Sequence, residues 1–198
     1  MIYSLGRSLV LFTPPKCAAN SLHDLLTTQG CMSVIGPQLD GGVDIHTTVL
    51  PWDVYDRREQ YTFAVAVRHP YERAASLFGH YKAYWPAPHL SFLAFLRELV
   101  VAPRFAFFHS TISSMLQPVE QPLDGRPPIQ VTKYVRVETL AADLRALGFD
   151  VPAAMPHVNR SEHRGRWEYC AESMRLVDQW ALHDFRRFGY ERGISGLA

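Results

Sequence analysis

Two short apolar runs, each passing through a proline-marked loop into a helical pattern, constrain this chain more than any other feature. The first, Ser8-Leu9-Val10-Leu11-Phe12-Thr13, is rich in β-formers and stops at Pro14-Pro15, which can neither continue a strand ladder nor occupy a helix interior. Beyond it Leu22, Leu25 and Leu26 recur at helical spacing before Gly30, predicting a helix of about ten residues. The second run, Tyr61 to Val67, is apolar almost throughout, as a parallel strand covered on both faces is, and it leads into a helix from Tyr71 to Tyr84. Strands alternating with helices predict an α/β fold with a central parallel sheet, whose ligands sit in the crevice at the carboxyl ends of its strands.

Further along, helical patterns cover Ser91 to Val101 and Arg104 to Leu116, separated by Pro103 and followed by a loop containing Pro and Gly. Ile129 to Val137 reads as another strand, and Glu138-Thr139 begins a helix that ends near Gly148. A long last helix follows from the apolar stripe Trp167, Cys170, Ala171, Met174, Val177, Trp180, Ala181 and Phe185. The 198 residues suit one domain, and a hydrophobic fraction of 47% is enough to give it a core.

Charge and cysteine usage narrow the partners. Lys+Arg 20 against Asp+Glu 19 leaves a net charge of +1, so no global field draws the chain to nucleic acid or anionic lipid, and any bound anion needs a local site. Cys17, Cys31 and Cys170 cannot all pair and lack C-x-x-C spacing, which points to a reducing compartment. With no leader pattern at Met1 to Arg7 and no run near the ~18 apolar residues of a membrane span, the expectation is a soluble cytoplasmic protein. The histidines lack H-E-x-x-H or comparable spacing, so no metal is expected.

Both strands deliver polar residues to one sheet edge: Lys16, Asn20 and Ser21 after the first, Arg68 and then Ser76 after the second. A loop entering a helix N-terminus offers unpaired backbone N–H groups and the positive end of the helix dipole to an anion, and Lys16 adds a point charge. Arg68 offers a planar fork to a second phosphate. The plainer alternative is that Lys16 is solvated and Arg68 pairs with Glu72 or Glu138. The Walker A pattern Gly-x-x-x-x-Gly-Lys-Ser/Thr occurs nowhere, which disfavours an ordinary P-loop kinase or ATPase.

The stretch Thr13-Pro14-Pro15-Lys16-Cys17-Ala18-Ala19-Asn20-Ser21-Leu22 resembles the 5'-phosphosulfate loop, Pro-Lys-x-Gly-Ser/Thr-Ser/Thr-Ser-Leu, of the sulfotransferases that use 3'-phosphoadenosine 5'-phosphosulfate (PAPS). Arg68-His69-Pro70-Tyr71-Glu72-Arg73-Ala74-Ala75-Ser76 resembles that family's 3'-phosphate element, Arg-x-Pro-x-x-Arg-x-x-Ser. Arg136-Val137-Glu138-Thr139-Leu140 is similar to the R-x-E-x-L segment of its carbohydrate branch. His157-Val158-Asn159-Arg160-Ser161 and the ending Asp184-Phe185-Arg186-Arg187-Phe188-Gly189-Tyr190 are similar to that branch's H-x-N-x-S and D-F-x-x-F-G-Y. The four motifs stand in the family's order and span most of the chain, while Trp85 to Arg126 has no counterpart.

The resemblance implies a single P-loop-like, three-layer domain over residues 1–198. It implies PAPS as cofactor and its desulfated form PAP as product, with sulfuryl transfer to an acceptor hydroxyl, most plausibly of a carbohydrate. Carried over residue by residue, the cofactor contacts are Lys16, Cys17, Ala18, Ala19, Asn20, Ser21, Leu22, Arg68 and Ser76. The basic stretch Ser161-Glu162-His163-Arg164-Gly165-Arg166 is similar to the family's lid, which adds Ser161, Arg164 and Gly165, a solvated basic loop being the alternative. Lys16 is the candidate to neutralise the leaving phosphate. His46, in Asp44-Ile45-His46-Thr47-Thr48, stands where the similar K-H-x-T segment carries a base; Glu59 and His80 are weaker substitutes, and a structural turn is the alternative.

Ala18 and Ala19 depart from the family's Gly and Ser/Thr, removing a hydroxyl and some backbone freedom, for which Asn20 offers a compensating donor. A positive φ at Ala18 would strain the loop by about 1 kcal/mol and weaken the cofactor's hold. Two rival readings follow: a PAP/PAPS-binding module without turnover, and a nucleotide-dependent kinase.

Overall fold

The computed structural model describes residues 1–34, 36–37, 43–44, 46, 50–84, 90–101, 110–152 and 169–193. The chain gathers into two compact units, 1–67 with 115–159 and 68–114 with 160–198. Each is assembled from two separate stretches, so no single cut in the chain releases either.

The first unit holds a mixed five-stranded sheet in the order β3-β1-β2-β6-β7. Its members are β1 (Ile2–Ser4), β2 (Leu9–Phe12), β3 (Met32–Ser33), β6 (Thr62–Val67) and β7 (Lys133–Arg136); a separate antiparallel pair joins β4 (Gly36–Pro37) to β5 (Val43–Asp44). β2, β6 and β7 are parallel, with Phe12 beside Val65 and Val67 beside Arg136. All of β2 is buried, and so is β6 from Phe63 onward, the signature of strands covered on both faces. Among the helices of this unit, α1 (Ala19–Thr27) buries Leu22 and Leu26, α2 (Trp52–Asp56) buries Val54 and Tyr55, and α6 (Leu140–Ala146) buries Leu144.

The expected parallel sheet is thus present in β2, β6 and β7, but the sheet as a whole is mixed. β1 turns back through Leu5 to Ser8 and pairs antiparallel with β2, and β3 pairs antiparallel with β1. Three residues are too short a segment to display a strand's alternation, which is why β1 escapes a reading by periodicity.

The second unit is helical, with α3 (Pro70–Tyr84), α4 (Phe92–Val101), α7 (Ala171–Trp180) and α8 (Leu182–Phe188). Its core joins Leu77 and Phe78 of α3 to Phe95 and Leu96 of α4 and to Val177 and Phe185. Each such fully buried apolar side chain is worth about 1.5–3 kcal/mol. α5 (Ile112–Glu120) carries the chain from the second unit into the first.

Two helix boundaries differ from expectation. A helix was expected from Arg104 to Leu116, of which 104–109 lie outside the described residues; α5 starts at Ile112 and runs through Pro118 to Glu120. Its start is set by Asp184, whose carboxylate accepts the N–H groups of Ile112 and Ser113, both at 2.8 Å. The long final helix is broken at Ala181, φ −105° and ψ 22°, although the apolar stripe continues across the break. Trp167, at the head of that stripe, lies outside the described residues. Among the described residues no helix is long and apolar enough to cross a membrane.

Candidate functional site

In the first unit the loop between β2 and α1 has the backbone of a tight turn. Pro14 and Pro15 are buried, the Cys17 N–H donates to the Pro14 carbonyl at 3.2 Å, and Cys17 itself is fully buried. Lys16 and Ala18 both take positive φ, 67° and 58°. These are conformations that cost residues other than glycine about 1–2 kcal/mol each. The strain expected at Ala18 is thus present, and Lys16 shares it.

Ala18 is the N-cap of α1, and its methyl group makes no capping hydrogen bond. No acidic residue lies in the first turn. The amides of Ala19, Asn20 and Ser21 therefore open the helix under an undiminished positive dipole end, the arrangement that favours an anion. Lys16 is half-buried, Asn20 exposed, and Ser21 and Leu22 buried.

His46 comes to the same strand end. Its Nδ1 lies 2.7 Å from the carbonyl oxygen of Thr13, the residue that opens the loop. A carbonyl only accepts, so the ring proton sits on Nδ1, and in the neutral ring Nε2 is the proton-accepting nitrogen. Glu59 is placed differently: it lies in the 3-10 turn Arg58–Gln60 that precedes β6, at the amino end of that strand, with its side chain 85% exposed. His80 belongs to α3 in the second unit.

Val67 ends β6 at the same edge as Phe12, and the next residue, Arg68, opens the second unit. Arg68 Nη2 lies 3.1 Å from Glu72 Oε2 one helical turn on, the partner foreseen in the plainer alternative. The Glu72 side chain is 50% exposed, and such a pair is worth about 0–1 kcal/mol. Ser76 is half-buried two turns along α3. Arg136 closes β7 beside Val67, its N–H donating to Asp143 Oδ2 at 2.7 Å. Ser161, Arg164 and Gly165 lie outside the described residues.

The remaining motif residues of the second unit hold its frame. The buried His69 ring stacks on Tyr71 at 5.5 Å and meets the edges of Phe185 and Tyr190. Tyr71 donates its hydroxyl proton to Asp178 at 2.7 Å and accepts from the Gly193 N–H, and the Tyr169 hydroxyl donates to the Tyr71 carbonyl. Burial, aided by Asp178, pushes the Tyr71 phenol up to about 12. Burial beside Glu72 and Tyr71 raises Tyr169 as well. Arg73, 1% exposed, donates to the Ser110 carbonyl and faces the Trp180 ring. The ending Asp184 to Tyr190 thus caps α5 and packs on the start of α3.

Sequence reasoning missed His23. It is buried on α1, with Nδ1 2.6 Å from the Ser33 hydroxyl and Nε2 3.3 Å from that of Thr13. The available signal was a histidine on the helix face that carries Leu22 and Leu26. Among the described residues no group of three or more His, Cys, Asp or Glu is placed to hold a metal ion. No protein-family model, no curated protein and no solved structure matches this chain.

Proposed function

We propose that this chain is a PAPS-dependent sulfotransferase with a P-loop-like fold, moving a sulfuryl group to a hydroxyl of a carbohydrate. The observation that carries the reading is the convergence on one strand end of an uncapped helix start, a lysine and a histidine whose Nδ1 meets the Thr13 carbonyl. Support also comes from the chain order, in which a second parallel strand of the same sheet ends directly before Arg68.

In the proposed reaction the 5'-phosphosulfate lies against the amides of Ala19 to Ser21 and the 3'-phosphate is taken by Arg68 and Ser76. The acceptor hydroxyl gives its proton to His46 Nε2 as its oxygen bonds to sulfur. The bond from sulfur to the phosphate oxygen breaks, and PAP departs with the new negative charge. The Lys16 ammonium meets that charge as it develops, an interaction stronger in the transition state than in the ground state. The donor's charges are met by Lys, Arg and helix dipole, so the reaction is read as metal-independent.

The test is transfer of labelled sulfate from PAPS across a panel of sugar and phenol acceptors, with Lys16→Ala in parallel. Transfer that falls by about 10²-fold or more in kcat in the variant supports the reading. A variant within threefold of wild type removes Lys16 from the chemistry. One rival is a module that holds PAP without turnover, its loop carrying Ala18 and Ala19 in place of Gly and Ser/Thr. PAP binding with no transfer to any acceptor would select it, and tight Mg-ATP binding would select a kinase.

A further inference from the structure

Around Thr13 lies a polar cluster that the proposed reaction leaves unused. His23 is buried, and both its ring nitrogens meet hydroxyls, Nε2 that of Thr13 at 3.3 Å and Nδ1 that of Ser33 at 2.6 Å. Thr13 is itself buried, and its other polar end, the backbone carbonyl, is the acceptor for His46 Nδ1 at 2.7 Å. Two histidines distant in sequence are therefore joined through one residue, by its side chain and by its carbonyl.

We propose that His23 is a positioning residue that acts on His46 through Thr13. The inference rests on the reading of His46 as the base. Thr13 precedes Pro14, which confines its backbone to extended conformations. On its other side Thr13 follows Phe12, the end of a strand paired on both edges. The side-chain torsion is the remaining freedom, and His23 holds it. With side chain and backbone both held, the Thr13 carbonyl keeps its aim at His46 and selects the ring form with the proton on Nδ1. In that ring form Nε2 is the nitrogen with the lone pair.

The chemistry of the holder suits the task. Hydroxyls both donate and accept, so His23 keeps both partners in either neutral ring form, one hydroxyl donating while the other accepts. A leucine in its place would fill the volume and lose both bonds. A role limited to fastening α1 to β3 predicts lower stability for such a change but no effect on the ring of His46.

The experiment is nitrogen NMR of His46, read as the ratio of its two neutral ring forms, in wild type, Thr13→Val, Thr13→Ser and Ser33→Ala. Thr13→Val keeps shape and carbonyl and removes only the hydroxyl. It is expected to move the ratio about two- to tenfold toward the form protonated on Nε2, the span a net hydrogen bond covers. Thr13→Ser is expected to restore the ratio, and Ser33→Ala to move it the same way as Thr13→Val, which keeps the test decisive if the valine variant does not fold. An unchanged ratio in Ser33→Ala and in a folded Thr13→Val overturns the proposal. In the transfer assay His23→Leu should lower kcat with KM for PAPS unchanged, and should add nothing on a His46→Ala background. Absence of any transfer in wild type refutes the sulfotransferase reading alone, because the ring-form ratio still decides the role of His23.

Discussion

Replacing Ala18 and Ala19 in turn by glycine separates strain in the loop from ordinary helix stability. Ala18 sits at φ 58° and ψ 24°, where a Cβ costs about 1–2 kcal/mol. Glycine removes that cost and adds about 0.4–1 kcal/mol of freedom to the unfolded chain, so Ala18→Gly should hold or raise stability, by up to about 1.6 kcal/mol. Ala19 is the first residue of α1 and 6% exposed. Glycine there costs about 0.5–1 kcal/mol in backbone entropy and about 0.8 kcal/mol for the buried methyl, about 1.5 kcal/mol together. The same chemical change at adjacent positions is thus expected to differ by at least about 1.5 kcal/mol. Urea unfolding reads it as midpoints displaced in opposite directions, or one unmoved and one lowered, at unchanged m. Equal loss in both variants would refute the left-handed assignment of Ala18.

Other consequences are separately testable. Asp184→Ala leaves the amides of Ile112 and Ser113 without their acceptor and should cost about 3 kcal/mol by denaturation, with Asp184→Asn, which keeps one oxygen, losing about half; a loss below about 0.5 kcal/mol would mean that α5 starts elsewhere. Tyr71 is raised to about 12 by burial and by Asp178, so the folded state holds that proton more tightly than the unfolded chain. Its contribution is fully present below pH 10, the unfolded value, and is lost as pH rises through 10 toward 12. Alkaline titration of tyrosinate absorbance alongside unfolding should show Tyr71→Phe losing part of that decline; an identical alkaline profile in the variant would contradict the burial of this phenol.

Much of the frame was legible because its signals are local. The run Tyr61 to Val67 has no polar residue but Thr62, and β6 spans Thr62–Val67; Pro14-Pro15 ends β2 where the chain must leave the sheet. The helix read from Tyr71 starts one residue earlier, since proline at a first helical position gives up an N–H that has no partner there. Pairings between distant residues were not legible. Asp184 fixing the start of α5, β1 and β3 pairing at the sheet margin, and Ser33 reaching His23 all depend on which segments meet in space. The site divides the same way. Lys16 and the helix start could be read from spacing, whereas the joining of His46 to Thr13 spans 33 residues and no periodicity encodes it.

Calorimetry with PAP and with ATP, on wild type and on Arg68→Ala, tests the central claim most directly. The account predicts that wild type prefers PAP. It also predicts that loss of the guanidinium weakens PAP binding by about 10- to 150-fold, the worth of a charge-assisted phosphate contact of about 1.5–3 kcal/mol. Preference for ATP, or PAP affinity indifferent to Arg68→Ala, would contradict it.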